Sequence, residues 1–113
     1  MKATRRTPLL KKMKQTVMKS NVVTDERLAK YFDYTKRALA EAEHAFSTHN
    51  REKERAVEFF DMALRYYSDA KHFADKGDSV TAFAALNYAH GWLDAGACAG
   101  FFLVKNNELF VVD

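Results

Sequence analysis

Apolar residues recur at alternating intervals of four and three along residues 28–46, the spacing of a helix that packs in a bundle. Thr24 precedes this stretch and can cap a helix, while Asp25 and Glu26 place negative charge at the positive end of the helix dipole. The pattern therefore predicts a first helix that begins after Thr24 and ends at the polar residues 47–50. Its core row is Leu28, Phe32, Thr35, Leu39, Ala42 and Phe46.

Two neighbouring apolar rows predict a second helix over residues 51–76. The first row is Ala56, Phe59, Ala63, Tyr66, Ala70 and Phe73, and the second is Val57, Phe60, Leu64, Tyr67 and Ala74. A face this broad packs against two neighbours rather than one. Gly77 then supplies the left-handed residue that often ends a helix, and Asp78 can cap the next helix. We therefore expect a tight turn between antiparallel helices.

A third helix is predicted from Ser79 to about Gly100. One of its rows keeps the same spacing but consists mostly of small residues: Ala84, Tyr88, Gly91, Ala95, Cys98 and Phe102. Each glycine inside a helix costs roughly 1 kcal/mol relative to alanine. Gly91 and Gly96 therefore indicate that another backbone or a ligand comes close to this helix. Cys98 is interpreted as a small core residue rather than a reactive thiol.

Beyond the third helix, residues 101–104 and 108–112 are two short runs rich in β-branched and aromatic residues. Asn106 and Asn107 lie between the runs, and asparagine tolerates the positive φ angles of a two-residue hairpin turn. The pattern predicts a β-hairpin in which Lys105 faces Glu108. Because a lone hairpin is barely stable, we expect it to pack on the end of the bundle or to pair with another chain.

These elements together predict an all-α fold. Residues 21–113 are expected to form an up-down antiparallel three-helix bundle with a short C-terminal β-hairpin, preceded by a basic N-terminal extension over residues 1–20. A chain of 113 residues has room for one domain and one core, and an apolar content of 48% is that of a globular rather than a disordered protein.

The N-terminal extension carries a strong charge asymmetry. It holds seven of the 18 basic residues and no acidic one, which leaves 11 basic against 15 acidic residues, a formal charge of −4, in the rest of the chain. Leu9, Met13 and Val17 recur every four residues, so the extension is expected to be disordered or to form a short amphipathic helix.

Cations in the extension would attract phosphate backbones. Binding would be independent of sequence, because the extension has no aromatic residue on which bases could stack. The alternative, slightly favoured, is a solvated extension without a partner. The candidate nucleic-acid-binding residues are Arg5, Arg6, Lys11, Lys12, Lys14 and Lys19.

The sequence lacks the marks of a membrane or secreted protein. No apolar run approaches the roughly 20 residues that cross a bilayer. Leu9 and Leu10 are followed at once by lysines rather than by the apolar core of a signal peptide. With a single cysteine, no internal disulfide is expected. We therefore expect a cytoplasmic protein without a membrane span.

Polar side chains form one unusual face on the third helix. Asn87, His90 and Asp94 follow one another at helical spacing, and Asp69 and His72 lie at broadly comparable height on the second helix. Tyr88 and Trp92 adjoin them. The candidate ligand-binding face is therefore Asp69, His72, Asn87, Tyr88, His90, Trp92 and Asp94.

Three interpretations of this polar face compete. The favoured one is a hydrogen-bonded network that fixes helix register, with His90 satisfied by Asp94 or a backbone carbonyl. The second is a pocket for a nucleotide or another anion. The third is a zinc or iron site, which is disfavoured because the polar face lacks the usual Glu-x-x-His pairs and the chain has no Cys-x-x-Cys motif. The sequence also lacks a Gly-rich phosphate loop and a nucleophile elbow, so it predicts no catalytic residue and no cofactor.

The most distinctive motifs of the chain are a tyrosine-Ser-Asp start, a Lys-Gly-Asp turn and a nine-residue core. They are Tyr66-Tyr67-Ser68-Asp69, Lys76-Gly77-Asp78 and Tyr88-Ala89-His90-Gly91-Trp92-Leu93-Asp94-Ala95-Gly96. In these motifs the chain resembles the archaeal domain of unknown function 357 family, over residues 25–102 and most specifically in the second half. The resemblance implies an archaeal cytoplasmic protein with an up-down three-helix bundle. It implies no activity, because the family has no established one.

The leading functional hypothesis is a non-enzymatic helical module that self-associates or docks on another protein. Broad apolar faces and the exposed edges of a terminal hairpin motivate it, since both need cover. The alternatives are a nucleic-acid-associated accessory protein acting through residues 1–20, and a bundle that binds a small ligand or nucleotide near His90 and Asp94.

Overall fold

Three α-helices make up the regular structure of residues 21–112, the part of the chain that this computed structural model describes. Helix α1 is Asp25–Glu43, α2 is Asn50–Asp75 and α3 is Ser79–Cys98. The predicted all-α three-helix bundle is confirmed. The extension over residues 1–20, and the predictions made for it, lie outside the described residues.

The helices begin and end where their capping residues lie. The Thr24 side chain accepts a hydrogen bond from the Arg27 N–H at 3.1 Å, and the Asp78 carboxylate accepts one from the Thr81 N–H at 3.1 Å. Gly77 has a φ of +81°, and the Asp78 N–H donates to the Phe73 carbonyl at 2.9 Å in a Schellman turn. The predicted caps and the tight turn between α2 and α3 are confirmed.

Ring contacts give the helix directions. Tyr31 and Tyr34 on α1 lie against Phe83 and His90 on α3, with ring centroids 4.8 and 5.2 Å apart, so these two helices run parallel. Helices α2 and α3 run antiparallel, because residues that come earlier on α2 contact residues that come later on α3. The α2–α3 pairs are Phe59 with Trp92, at 5.0 Å, and Tyr66 with Tyr88, at 5.2 Å.

Helix α3 is the central element of the bundle. It packs extensively on α2 and also on α1, whereas α1 and α2 share a smaller contact. Fully buried alanines from all three helices let the backbones come close: Ala38, Ala42, Ala56, Ala63, Ala70, Ala82 and Ala89. Larger side chains then fill the space around this small-residue seam. The most deeply buried of them are Tyr31, Leu86, Leu93, Phe102, Leu109 and Phe110.

The predicted C-terminal β-hairpin is wrong. Residues 103–112, here called the C-terminal segment, contain no strand. One isolated antiparallel bridge joins Phe102 to Phe46, which lies beyond the end of α1. It is formed by the Ser47 N–H donating to the Phe101 carbonyl at 2.8 Å and the Leu103 N–H donating to the Ala45 carbonyl at 2.7 Å.

A local turn and the burial pattern explain why no hairpin forms. The Asn106 side chain accepts from the Glu108 N–H at 3.0 Å, and the Asn106 carbonyl accepts from the Phe110 N–H at 3.0 Å. Leu109 and Phe110 are then both buried. Consecutive residues of a strand point to opposite faces, so a hairpin would have exposed one of these two side chains.

Cys98 also departs from its interpretation, since it is exposed rather than buried in the core. Its thiol donates to the Val111 carbonyl at 3.4 Å. From Ala84 to Cys98 the predicted row faces outward, whereas its last member, Phe102, is buried beyond the helix. The buried residues of α3 are instead Ala82, Ala85, Leu86, Ala89, His90, Leu93, Gly96 and Ala97.

Candidate functional site

His90 lies at the interface of α1, α3 and the C-terminal segment, and only 1% of its surface is exposed. Its Nε2 lies 2.7 Å from the Leu109 carbonyl oxygen. Because a carbonyl can only accept, Nε2 carries the proton. In the neutral ring, Nδ1 then accepts from the Thr35 hydroxyl at 3.4 Å. Both ring nitrogens therefore have partners inside the protein.

Asp94 and Tyr34 hold the same segment on either side of His90. The Asp94 carboxylate accepts from the Val111 N–H at 3.0 Å, and the Tyr34 hydroxyl donates to the Glu108 carbonyl. Burial raises the pKa of the Asp94 carboxyl above its ordinary value of 3.8, against opposing contributions from His90 and the Val111 N–H. Burial, followed by the nearby charge of Asp94, also raises the pKa of Tyr34.

We call Tyr34, His90 and Asp94 the polar clamp. Its three side chains come from two helices and bind main-chain groups of the C-terminal segment rather than one another's side chains. Main-chain groups are obligatory hydrogen-bonding groups, so a buried segment without a strand partner needs such acceptors and donors. These contacts favour the hydrogen-bonded network over a ligand pocket at His90 and Asp94.

Asp69 and His72 lie apart from the polar clamp. Both are exposed on α2, and the His72 ring packs against the neighbouring Phe73 at 5.5 Å. Within residues 21–112, no hydrogen bond or ion pair joins either of them to His90 or Asp94. The comparable height predicted for the two polar pairs is not observed: Tyr66 lies opposite Tyr88, so Asp69 and His72 lie nearer the turn at Gly77 than His90 and Asp94 do.

The remaining candidate residues lie on the outer side of α3, away from the polar clamp. Asn87, Tyr88 and Trp92 line an open groove of about 540 Å³. Its other lining residues are small: Ala84, Gly91 and Ala95. We call these six residues the α3 groove. Tyr88 is 63% exposed even though its ring stacks on Tyr66, so a large aromatic surface faces outward.

The two glycines inside α3 have different surroundings. A Cβ on Gly96 would overlap the ring of Phe102, so the packing of the chain itself requires this glycine. Gly91 is exposed in the α3 groove, and apart from its two chain neighbours and the backbone of its own helix turn, no atom of the described residues lies within 4 Å of the position that a Cβ would take. The predicted close approach of another group to α3 is thus accounted for at Gly96 by the Phe102 ring. At Gly91 nothing in the described chain accounts for it.

Sequence reasoning did not identify Tyr34, a member of the polar clamp, or Thr35, which hydrogen-bonds to His90. Both residues lie on α1. The Tyr34 hydroxyl contacts a main-chain carbonyl 74 positions further along the chain, and the Thr35 hydroxyl contacts His90, 55 positions further along. One signal was present, because Thr35 is a polar residue inside the apolar row of the first helix. Main-chain partners such as the Leu109 carbonyl carry no side-chain signal at all.

Neither a cluster of metal ligands nor a membrane-spanning helix occurs in the described part of the chain. Residues 21–112 hold no group of three or more histidine, cysteine or acidic side chains arranged to bind a metal ion. None of the helices in this part combines the length and the apolar character that spanning a membrane requires.

Comparison with known proteins gives one match. The model of a family described as protein of unknown function (DUF357) matches residues 30–102, which is more than half of the 113-residue chain. No curated protein and no solved structure matches the chain. The matched region includes the polar clamp and the α3 groove, whereas the C-terminal segment lies beyond it.

Proposed function

The chain belongs to the DUF357 family of proteins of unknown function, and we propose that it is a non-enzymatic docking module that binds another protein chain through the α3 groove. One observation carries this proposal. The most apolar helix of the bundle leaves an aromatic-walled face that no described residue covers. Exposed apolar patches rimmed by polar residues are typical of interaction sites.

The composition of α3 supports protein docking. Over Ser79–Cys98 the helix carries one acidic residue, Asp94, and neither lysine nor arginine. The cores of protein interfaces are likewise depleted in charge and enriched in tyrosine and tryptophan. Tyr88 and Trp92 also rest on Tyr66 and Phe59 of α2, and rings held in place in this way lose little conformational entropy when they bind.

The distribution of polar groups supports binding rather than catalysis. His90 and Asp94, the only histidine and the only acidic residue of α3, are already engaged by the C-terminal segment. The groove itself offers only the Asn87 amide and the Tyr88 hydroxyl. Neither supplies the general base or the activated nucleophile that most hydrolytic or transfer reactions need.

Carbene footprinting tests whether another protein covers the α3 groove. The chain is labelled at low concentration as purified protein and again in a lysate of its source cells. We expect labelling of Tyr88 and Trp92 to fall several-fold in the lysate. Leu103 is the control, because it is 61% exposed and lies outside the groove. Full labelling of the groove both in the lysate and in concentrated purified protein, or protection in a purified chain that is monomeric, would overturn the proposal.

A second candidate function rests on the charge asymmetry of the sequence. Seven cations in residues 1–20 precede a body with a formal charge of −4, so any attraction for nucleic acid should come from those residues. Deleting residues 1–20 should abolish binding to duplex DNA or RNA and the salt dependence that accompanies it. Unchanged binding after the deletion, or no binding by the full chain at low salt, would exclude this function.

A further inference from the structure

Resting on the proposed docking function, we propose that the occupant of the α3 groove is α3 of a second copy of this chain. The two helices pack antiparallel around a two-fold axis that passes close to Gly91. The proposal starts from that glycine. Its helical position costs roughly 1 kcal/mol relative to alanine, and no packing among the described residues needs it.

The small residues at the two ends of the outer row lie at equal distances from Gly91, as such a dimer requires. A two-fold axis presents the same surface on both copies, so a residue before the centre faces the residue at the same distance after it on the other copy. Ala84 lies seven positions before Gly91, and Cys98 lies seven positions after it. Seven residues are two helical turns, so all three small residues share one line along the exposed face. In the antiparallel pair, Ala84 of each copy faces Cys98 of the other.

Large and small residues also alternate in a complementary way. Tyr88 precedes Gly91 by three positions and Ala95 follows it by four, so Tyr88 of one copy lies over the small Ala95 of the other. Gly91 faces Gly91 at the crossing, where the absence of side chains lets the helix axes approach closely. This arrangement places side chains of one helix in the spaces of the other, as in close-packed helix pairs.

The charge of the face favours a second copy over a charged partner. None of the six groove residues is ionisable near neutral pH. The Asp94 carboxylate accepts from Val111 and is therefore held at the side of α3 that the C-terminal segment covers. An uncharged face can meet itself without repulsion, whereas a partner with a charged surface would leave its charges unpaired.

Sedimentation velocity on the full chain tests the interface. The wild-type protein should form dimers at about 200 µM, and Gly91→Arg should weaken the dimer at least about 100-fold by burying an unpaired charge. Ala40→Arg is the matched control, because Ala40 is exposed on α1. It should leave the dimer constant within about threefold. A monomeric wild-type chain, or a dimer that resists Gly91→Arg, would overturn the proposal.

Disulfide trapping tests the register independently. The chain has one cysteine, Cys98, and two copies of it would lie about 20 Å apart along an antiparallel pair that crosses at Gly91. Oxidised wild-type protein should therefore stay uncrosslinked, and Ala84→Cys should give covalent dimers. The same variant has no short route to an intramolecular bond, since positions 84 and 98 are about 20 Å apart on one helix. Ala40→Cys is the control.

The outcomes separate this proposal from the docking function. Covalent dimers of the oxidised wild-type chain would contradict the antiparallel register, because they require Cys98 to face Cys98. A monomeric purified chain whose Tyr88 and Trp92 are nevertheless protected in the lysate would overturn self-association and keep the docking function. A monomeric chain with an unprotected groove in the lysate would overturn both.

Discussion

Gly96 and Gly91 illustrate how two identical residues on one helix have different physical roles. At Gly96 the missing Cβ makes room for the Phe102 ring, which ties the chain after α3 to the turn before α2. At Gly91 the missing Cβ makes room for nothing in the described chain. The difference is set by the side of α3 on which each residue lies, and it has a direct consequence for stability.

Alanine substitutions at the two glycines should therefore have opposite effects. Gly96→Ala forces Phe102 to shift, so we expect a loss of about 1–3 kcal/mol in the free energy of unfolding. Gly91→Ala should gain roughly 0.5–1 kcal/mol through helix propensity alone. Urea unfolding of both variants, at dilutions where the protein is monomeric, measures the two values. Equal destabilisation by both substitutions would show that Gly91 is also packed inside the monomer.

The Asp94 carboxyl should make the stability of the protein depend on pH. Its pKa is raised in the folded protein, so between the ordinary value of 3.8 and the folded-state value the native chain binds more protons than the unfolded chain. The free energy of unfolding contributed by Asp94 therefore falls as the pH rises through that interval. Asp94→Asn keeps an acceptor for the Val111 N–H and removes the titration.

Urea unfolding at pH values from about 4 to about 7 tests this sign. Wild type should be relatively more stable at the acidic end, and it should lose stability against Asp94→Asn as the pH rises. Asp94→Ala removes the acceptor of the Val111 N–H together with the charge, whereas Asp94→Asn removes only the charge. Loss of that acceptor should lower the free energy of unfolding by about 1 kcal/mol at neutral pH. A difference between wild type and Asp94→Asn that stays constant across this range would contradict a buried carboxyl with a raised pKa.

Among the elements, the C-terminal segment depends most on the rest of the fold. It has no ladder of its own, and its main-chain groups at residues 108, 109 and 111 bind the polar clamp. Leu109 and Phe110 are 2% and 1% exposed, so the segment contributes to the core as much as a helix turn does. It belongs to the cooperative folding unit although it lies outside the region that the family model matches.

Truncation of its buried side chain should therefore destabilise the whole bundle. Phe110→Ala is expected to cost about 3–5 kcal/mol, the range for large core residues. Leu103→Ala, in the same segment but 61% exposed, should change stability by less than about 0.5 kcal/mol. Urea unfolding followed by circular dichroism compares the two variants with wild type. A Phe110→Ala protein of unchanged stability would show that the segment is detached in solution.

Structural features set by neighbouring residues can be predicted from the sequence, whereas features set by distant contacts cannot. Thr24, Gly77 and Asp78 act within a few residues of their own position, so the caps and the turn between α2 and α3 could be predicted from the chain alone. The conformation of the C-terminal segment depends on Tyr34, which is 74 positions from Glu108. Residues 101–112 have the residue pattern of a hairpin, but that distant contact, the turn at Asn106 and the burial of both Leu109 and Phe110 exclude one.

The candidate site was predictable to a similar degree. Helical spacing brings Asn87, His90 and Asp94 to one side of α3, but it does not show that His90 and Asp94 are covered while Asn87 faces outward. Coverage depends on where the C-terminal segment lies. The outer row with Gly91 was visible as a pattern, but its exposure becomes evident only when α1 and α2 are seen to pack on the other sides of α3.

At the scale of the whole molecule, α3 buries polar side chains on one side and exposes an apolar face on another, although most of its buried residues are apolar. The polar clamp is buried beneath the C-terminal segment, and the aromatic α3 groove faces outward. A helix that is apolar on nearly every side is normally buried on every side. In the described chain α3 has neighbours on only part of its surface, and a second copy would complete its burial.

Trp92 provides the most direct measurement of this claim. It is the chain's only tryptophan and lines the α3 groove, so its fluorescence reports on that face alone. Acrylamide quenching of the full-length protein is measured along a dilution series. The antiparallel dimer predicts that quenching rises as the protein is diluted, with a midpoint at the dimer dissociation constant measured by sedimentation. Gly91→Arg should be quenched as strongly as dilute wild type at every concentration. Quenching that is independent of both concentration and the Gly91→Arg substitution would contradict an interface at the α3 groove.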